Sequence, residues 1–310
     1  MKKRAPRNRT LVLAEGEREQ LLVETIRLER LVAAAGLVDR VVCGDLFSCL
    51  EFLPDGFVDL MIADPPYNLD KDFAGRRFKS RPEAAYRQWL ESWLVPLKRC
   101  LKPAASLYVC CDWRSSKVVQ AVLEEHYLIR NRITWEREKG RGAKKNWKNC
   151  AEDIWFATVS EDYFFDVEAV KLKRRVIAPY RDPSGTPRDW NETAAGNFRM
   201  THPSNLWTDI SIPFWSMPEN TDHPTQKPEK LVAKLVLASS QAGDLVFDPF
   251  AGSGTSCVVA AKLKRRYLGI EIEPDYCALA VKRLARAKED ATIQGFRDGC
   301  FWERNSRAGH

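Results

Sequence analysis

An apolar run, Val58–Ala63, ends in Asp64-Pro65-Pro66-Tyr67, with Asn68 next. A carboxylate at the carboxyl end of a buried strand points into the crevice where α/β sheets bind ligands. Two consecutive prolines lack backbone donors and hold their carbonyls in a rigid, outward direction. The tyrosine adds an aromatic face beside those acceptors. Together the four residues can hold a planar group by its face while accepting two hydrogen bonds from an exocyclic NH2, and the amine of adenine or cytosine fits that description. Taken alone, the tetrad is also what a proline-stiffened turn with a satisfied aspartate and a packing tyrosine would look like.

A second segment, Val246-Phe247-Asp248-Pro249-Phe250-Ala251-Gly252-Ser253-Gly254-Thr255, reads as a strand passing through a glycine-rich turn into a helix. Glycines there let the backbone approach a ligand closely. Glu271 closes the next strand, Tyr267-Leu268-Gly269-Ile270-Glu271, about 20 residues on, where an acid can accept from ribose hydroxyls. The G-x-G-x-x-G spacing expected over a pyrophosphate is missing, which disfavours a nicotinamide or flavin dinucleotide. A cofactor with a ribose and no phosphate fits better.

The scaffold that must position these groups is legible as alternation. Strand-sized segments at 40–43, 58–63, 106–110, 128–135, 153–158, 245–247 and 266–270 interleave with helix-sized ones at 83–101, 115–125, 228–240, 255–263 and 274–288. This predicts an α/β chain with a Rossmann-like, mostly parallel sheet and helices on both faces. Residues 16–36 carry Glu, Arg and Leu or Val at helical spacing and predict an amphipathic helix packed ahead of the first strand. From about 161 to 220 the periodicity fades into Pro-, Asn-, Trp- and Arg-rich sequence, a length that marks a functional insertion. Its Trp190, Trp207, Phe214 and Trp215 argue against disorder.

The two motifs resemble those of the DNA amino-methyltransferases that use S-adenosylmethionine. Asp-Pro-Pro-Tyr precedes Phe250-Ala251-Gly252-Ser253-Gly254, the circularly permuted motif order of the β group. His223-Pro224-Thr225-Gln226-Lys227-Pro228, ahead of a helix, is similar to the family's element beside the methionine end of the cofactor. Gly44-Asp45-Leu46, leaving the first strand, matches a position near the cofactor's adenine amine. The resemblance covers roughly 41–283. One departure lies at Asn149-Cys150-Ala151-Glu152-Asp153, where relatives often carry a histidine before the acidic pair and this chain has Ala151.

The resemblance implies S-adenosylmethionine held by Asp45, Leu46, Asp64, His223, Thr225, Lys227, Asp248, Phe250, Ala251, Gly252, Ser253, Gly254, Thr255 and Glu271. It implies catalysis by Asp64, Pro65, Pro66 and Tyr67 on a base flipped out of duplex DNA. Methylation of a ring carbon would need a cysteine nucleophile, typically in Pro-Cys, and no such dipeptide occurs. Aspartate as the first residue of the tetrad favours adenine N6, and the alternatives are cytosine N4 in DNA or an RNA substrate. Site-specific action suits a restriction-modification system or an orphan epigenetic enzyme, with a cognate restriction endonuclease and a homodimer as the further partners the family allows. A non-catalytic nucleic-acid-binding protein would not be expected to keep both motifs intact.

Two basic clusters bear on the polyanion. Arg137, Lys139, Arg141, Lys144, Lys145 and Lys148 are interleaved with Gly140, Gly142 and Trp147, and Lys171, Lys173, Arg174 and Arg175 open the irregular segment. Near a base-flipping site these suit phosphate contacts. Readers of base edges are expected between 171 and 215, with Arg181, Arg188, Asn191, Asn197 and Arg199 as candidates. The implied division is an N-terminal helical extension (1–36), a catalytic half (37–160), a target-recognition region (161–220), a cofactor half (221–290) and a C-terminal tail (291–310).

Composition agrees with this reading and narrows it. The 310 residues are 45% hydrophobic and 29% charged, near the soluble globular average. No apolar run approaches the roughly 20 residues of a membrane-spanning helix. The basic N-terminus lacks an apolar h-region, so the expected location is the cytoplasm. Nine scattered cysteines without C-x-x-C spacing point away from a disulfide framework or a zinc site, and no metal is expected. The formal charge of +7 suits a polyanionic partner without demanding one.

Overall fold

Short runs of β-branched and apolar residues build the sheet that carries both motifs. The computed structural model describes residues 5–73, 76–137, 144–176, 180–194 and 196–303. Among them, eight strands form one sheet: β1 (Arg40–Cys43), β2 (Val58–Ala63), β3 (Leu101–Cys111), β4 (Leu128–Glu136), β5 (Ala151–Thr158), β6 (Leu206–Trp207), β7 (Leu245–Asp248) and β8 (Arg266–Glu271). Their order is β1-β8-β7-β2-β3-β5-β4-β6. All run parallel except β5, which is antiparallel to both of its neighbours. The α/β class with a mostly parallel sheet is therefore as expected.

Both faces of the sheet are buried, as parallel sheets require. Met61, Ala63, Leu107, Val109 and Phe247 face one core, which takes Leu90, Trp93 and Leu94 from the helix Glu83–Leu97 and Val119 and Val122 from Ser116–His126. Leu60, Ile62, Tyr108 and Val246 alternate with them and face the other core, against Leu231 and Leu235 of the helix Glu229–Ser239. Each fully buried aliphatic side chain contributes about 1.5–3 kcal/mol.

Three sequence-based expectations differ from the structure. The helix expected over 83–101 stops at Leu97, followed by a 3-10 turn and then β3. Pro103 disfavours helical geometry at the residue before it. The helix expected over 16–36 is instead a single Glu17–Leu22 turn and a short Ala34–Leu37 helix. Between them the Ile26 backbone bonds to Val41 and Cys43, because the open edge of β1 offers unpaired groups. The irregular segment contains strands. Leu172–Arg175, Gly196–Thr201 and Asn191–Thr193 form a second sheet with Phe296–Arg297 and Cys300–Trp302, drawn from the segment expected to be a tail.

Topology places the chemistry. From β2 the chain winds to β3 on one side, and from β7 to β8 on the other, so the carboxyl ends of β2 and β7 flank the point of reversal. That is where open α/β sheets bind ligands. The reversed β5 delivers its amino end to the same edge, with Glu152 opposite Trp135 and Asp153 opposite Cys111.

Candidate active site

Asp64 follows the last residue of β2, and Pro66 and Asn68 beyond it are held from several sides. Tyr86 donates to the Pro66 carbonyl at 3.2 Å, the Asn68 amide donates to Ser115 Oγ at 3.2 Å, and Asn68 Nδ2 donates to the Arg81 carbonyl at 2.8 Å. No described donor reaches the Pro65 carbonyl. The tetrad is thus clamped at its far end and leaves one carbonyl available beside the carboxylate.

The carboxylate sits in a charge cluster. Tyr67 Oη donates to Asp64 Oδ1 at 2.9 Å or to Glu152 Oε2 at 3.1 Å, one proton serving two acceptors in turn. Lys227 Nζ donates to Asp64 Oδ2 at 2.7 Å and to Tyr67 Oη at 3.0 Å, and lies 3.2 Å from Glu152 Oε2. Arg137 pairs with Glu152 Oε1. Burial alone would pull the Lys227 ammonium down, but Asp64 and Glu152 outweigh it and hold it well above the usual lysine range. Burial likewise opposes charge on Glu152, yet Lys227 and Arg137 keep it below the usual carboxylate range. Burial, with Asp64 and Glu152 adding to it, pushes the Tyr67 hydroxyl up, so it stays protonated.

The glycine turn forms the opposite wall. Gly252 has φ +53°, and a Cβ there would stand 2.9 Å from His223 Nε2, so only glycine admits both the turn and the imidazole. The Gly252 amide donates to Glu271 Oε2 and the Glu273 amide to Glu271 Oε1, each at 2.8 Å. Burial raises the Glu271 carboxyl and takes Asp248 up to about 7. His223 is held down at about 3 by burial and by Lys227, and its neutral Nδ1 accepts from the Thr225 amide at 3.3 Å. Both walls line one cavity of about 340 Å³, within the range of small-molecule sites. Its Asp248, Glu271 and Glu273 end, with the glycine backbone, suits a ribose-bearing cation.

Asp64, Pro65, Pro66, Tyr67, His223, Thr225, Lys227, Asp248, Phe250, Ala251, Gly252, Ser253, Thr255 and Glu271 all border this cavity. Gly254 lies behind it, packed on Ala280. Asp45 and Leu46 do not line it; Asp45 caps the short helix Leu46–Cys49 by accepting from the Phe47 amide. Lys227, expected on the cofactor, contacts Asp64. Arg137, expected on DNA phosphates, contacts Glu152. Lys144, Lys145 and Lys148 are exposed, while Lys139 and Arg141 lie outside the described residues. Lys173 stacks its ammonium 4.5 Å from the Trp302 ring centroid, and Arg174 pairs with Glu303 at 3.4 Å.

Among the residues that build the site, Glu152, Glu273 and Arg283 were not singled out from the sequence. Glu152 belongs to the segment where only the missing histidine drew notice. Arg283, buried, donates to the Ser253 carbonyl at 2.9 Å, to Thr255 Oγ1 at 2.8 Å and to Glu229 Oε1 at 2.9 Å, bracing the glycine turn against the helix Glu229–Ser239. β5 lies two strands from β2, with β3 between them, so no local signal ties Glu152 to Asp64, and nothing local marks Arg283.

The chain is similar to known proteins. A family model described as DNA methylase matches residues 58–282. "DNA adenine methyltransferase YhdJ" of Escherichia coli (strain K12) is 32% identical over 251 residues, covering 79% of this chain and 82% of that protein. "Type II methyltransferase M.HpaI" of Haemophilus parainfluenzae is 30% identical over 260 residues, covering 83% and 76%. Among solved structures, the M1.HpyAVI-SAM complex aligns with a TM-score of 0.54 at 22% identity over 79% of this chain and 98% of that one. The cytosine-N4-specific PvuII DNA methyltransferase aligns at 0.60 and 17% identity over 85% and 93%. At such identities the two structures speak to the fold.

Proposed function

The chain belongs to the DNA methylase family, and from that membership we propose that it transfers a methyl group from S-adenosylmethionine to the N6 amine of an adenine flipped out of duplex DNA. The observation that carries this reading is a carboxylate and an available carbonyl, Asp64 and Pro65, facing the Gly252–Glu271 wall across one cavity. When bound, S-adenosylmethionine supplies an electrophilic methyl on a cationic sulfur. The acidic end formed by Asp248 and Glu271 and the glycine cradle at Gly252 fit such a ligand.

The protein's own task is alignment and exclusion of water. An aryl amine is a poor nucleophile because its lone pair is delocalised into the ring. Asp64 and the Pro65 carbonyl, by accepting the two N–H bonds, favour a pyramidal nitrogen whose lone pair points along the line of transfer. Tyr67 gives the base a stacking face, which offsets part of the few kcal/mol spent on flipping. Adenine is preferred over cytosine because the adenine methyltransferase YhdJ is 32% identical, whereas the cytosine-N4 enzyme of PvuII shares 17% and thus the fold.

We extend the proposal to the partners. Lys173, Arg174 and the exposed Lys144, Lys145 and Lys148 suit the DNA backbone. The type II name of M.HpaI supports a cognate restriction endonuclease. A homodimer rests on the family resemblance, and sedimentation reads it directly.

Incubation with labelled S-adenosylmethionine and unmethylated duplex DNA, followed by nucleoside mass spectrometry, tests the central claim, with Asp64→Ala alongside. N6-methyladenine made by the wild type and lost in the variant is expected. N4-methylcytosine would overturn the choice of base, and methylation of RNA alone would overturn the substrate.

A further inference from the structure

The group that must receive the target amine is already engaged. Asp64 Oδ1 takes the Tyr67 hydroxyl and Oδ2 takes Lys227 at 2.7 Å. Lys227 cannot simply withdraw, since its side chain is only 10% exposed and an unpaired ammonium at such a site is costly. A second acceptor is within reach: Glu152 Oε2 lies 3.2 Å from Lys227 Nζ and 3.1 Å from Tyr67 Oη. Glu152 is itself anchored, 7% exposed, on a strand in register with Trp135, and Arg137 holds its other oxygen. Lys71 also borders the cavity.

We propose that Glu152 is a positioning residue that takes Lys227 and the Tyr67 proton off Asp64 when the target amine arrives, so that the carboxylate is released for the amine without any charge leaving the site. This deepens the reading given above and rests on it. The exchange conserves charge: Asp64 and Glu152 balance Lys227 and Arg137 before and after. Only hydrogen-bond partners change. In the resting arrangement Lys227 thereby guards Asp64 until a base with two N–H donors displaces it.

The test is single-turnover methyl transfer into unmethylated genomic DNA at saturating S-adenosylmethionine. It compares the wild type with Glu152→Gln alone and with Glu152→Gln combined with either Lys227→Met or Arg137→Met. Calorimetric cofactor affinity and melting temperature are measured for each. Glu152→Gln should slow transfer by roughly tenfold, the scale of coupling between contacting residues, with cofactor affinity kept. Adding Lys227→Met should recover most of that loss, because no ammonium then holds Asp64 and the amide oxygen of the glutamine can still accept the Tyr67 proton. Adding Arg137→Met should not, although it restores the same charge balance. Equal rescue by both would reduce Glu152 to charge compensation, and rescue by neither would remove the handover; either result overturns the proposal. A wild type that methylates no DNA overturns the functional reading and this inference with it.

Discussion

Tyr67 does two separable things, and substitution can part them. Its ring offers a stacking face, and its hydroxyl links Asp64, Glu152 and Lys227. Tyr67→Ala should cost about 1–3 kcal/mol in kcat/KM for DNA, the scale of base–aromatic stacking. Tyr67→Phe should keep that contact and lower kcat instead; equal effects on both parameters would count against the division. Asp248 carries a pH prediction. Burial raises its folded pKa to about 7, so between about pH 4 and 7 the folded chain holds a proton that the unfolded chain has released. Its contribution to stability is complete below that window and is lost as pH climbs through it. His223, held near 3, acts in the opposite sense as pH falls from about 6.5. Asp248→Asn removes the first component alone. Urea midpoints should therefore show the variant gaining on the wild type between about pH 4.5 and 7.5, and a constant difference would refute this.

At the scale of elements, the glycine turn is where the chain has least freedom. Gly254 has φ +77°, and a Cβ there would approach Ala280 Cβ to 2.6 Å, so the turn and the helix Pro274–Glu289 touch backbone to side chain. Gly254→Ala combines left-handed strain of about 1–2 kcal/mol with overpacking of about 1–3 kcal/mol. A clear drop in melting temperature is expected. Gly252→Ala instead presses on His223, whose ring lies 4.4 Å from that of Tyr276 and has little room to yield. It should lower cofactor affinity in calorimetry more than it lowers stability. If both variants behaved alike, the separate roles given to the two glycines would be wrong. The turn, its flanking strand and helix, and the proline tetrad were all legible, because local residue types encode local geometry.

The whole molecule is joined by contacts distant in sequence. Phe301, from the far C-terminal segment, is fully buried beside Leu172 of the second sheet. Lys230, on the helix after the His223–Pro228 segment, donates to the Asp209 carbonyl and also bonds the Trp302 carbonyl. Lys230 and Lys234 both pair with the buried Asp209. The second sheet is therefore fastened to the helix that follows Lys227. Phe301→Ala should cost about 3–5 kcal/mol of stability in denaturant titration. Below its melting temperature the variant should weaken DNA binding more than cofactor binding. Unchanged DNA affinity would show that the second sheet reads nothing.

The sequence by itself determined the α/β class and the two motifs with their permuted order, because strand periodicity, proline stiffness and glycine turns are properties of neighbouring residues; the reaction was implied by the family those motifs resemble. The sequence could not determine that β5 runs backwards, since strand direction follows from pairing with β3 and β4 across dozens of residues. That reversal is what carries Glu152 to the edge where Asp64 ends β2. Nor could it assign Lys227 and Arg137 to Glu152 and Asp64: a lysine in a motif and an arginine in a basic run look free until burial forces each charge to find a partner. Which charge meets which was decided only by tertiary packing.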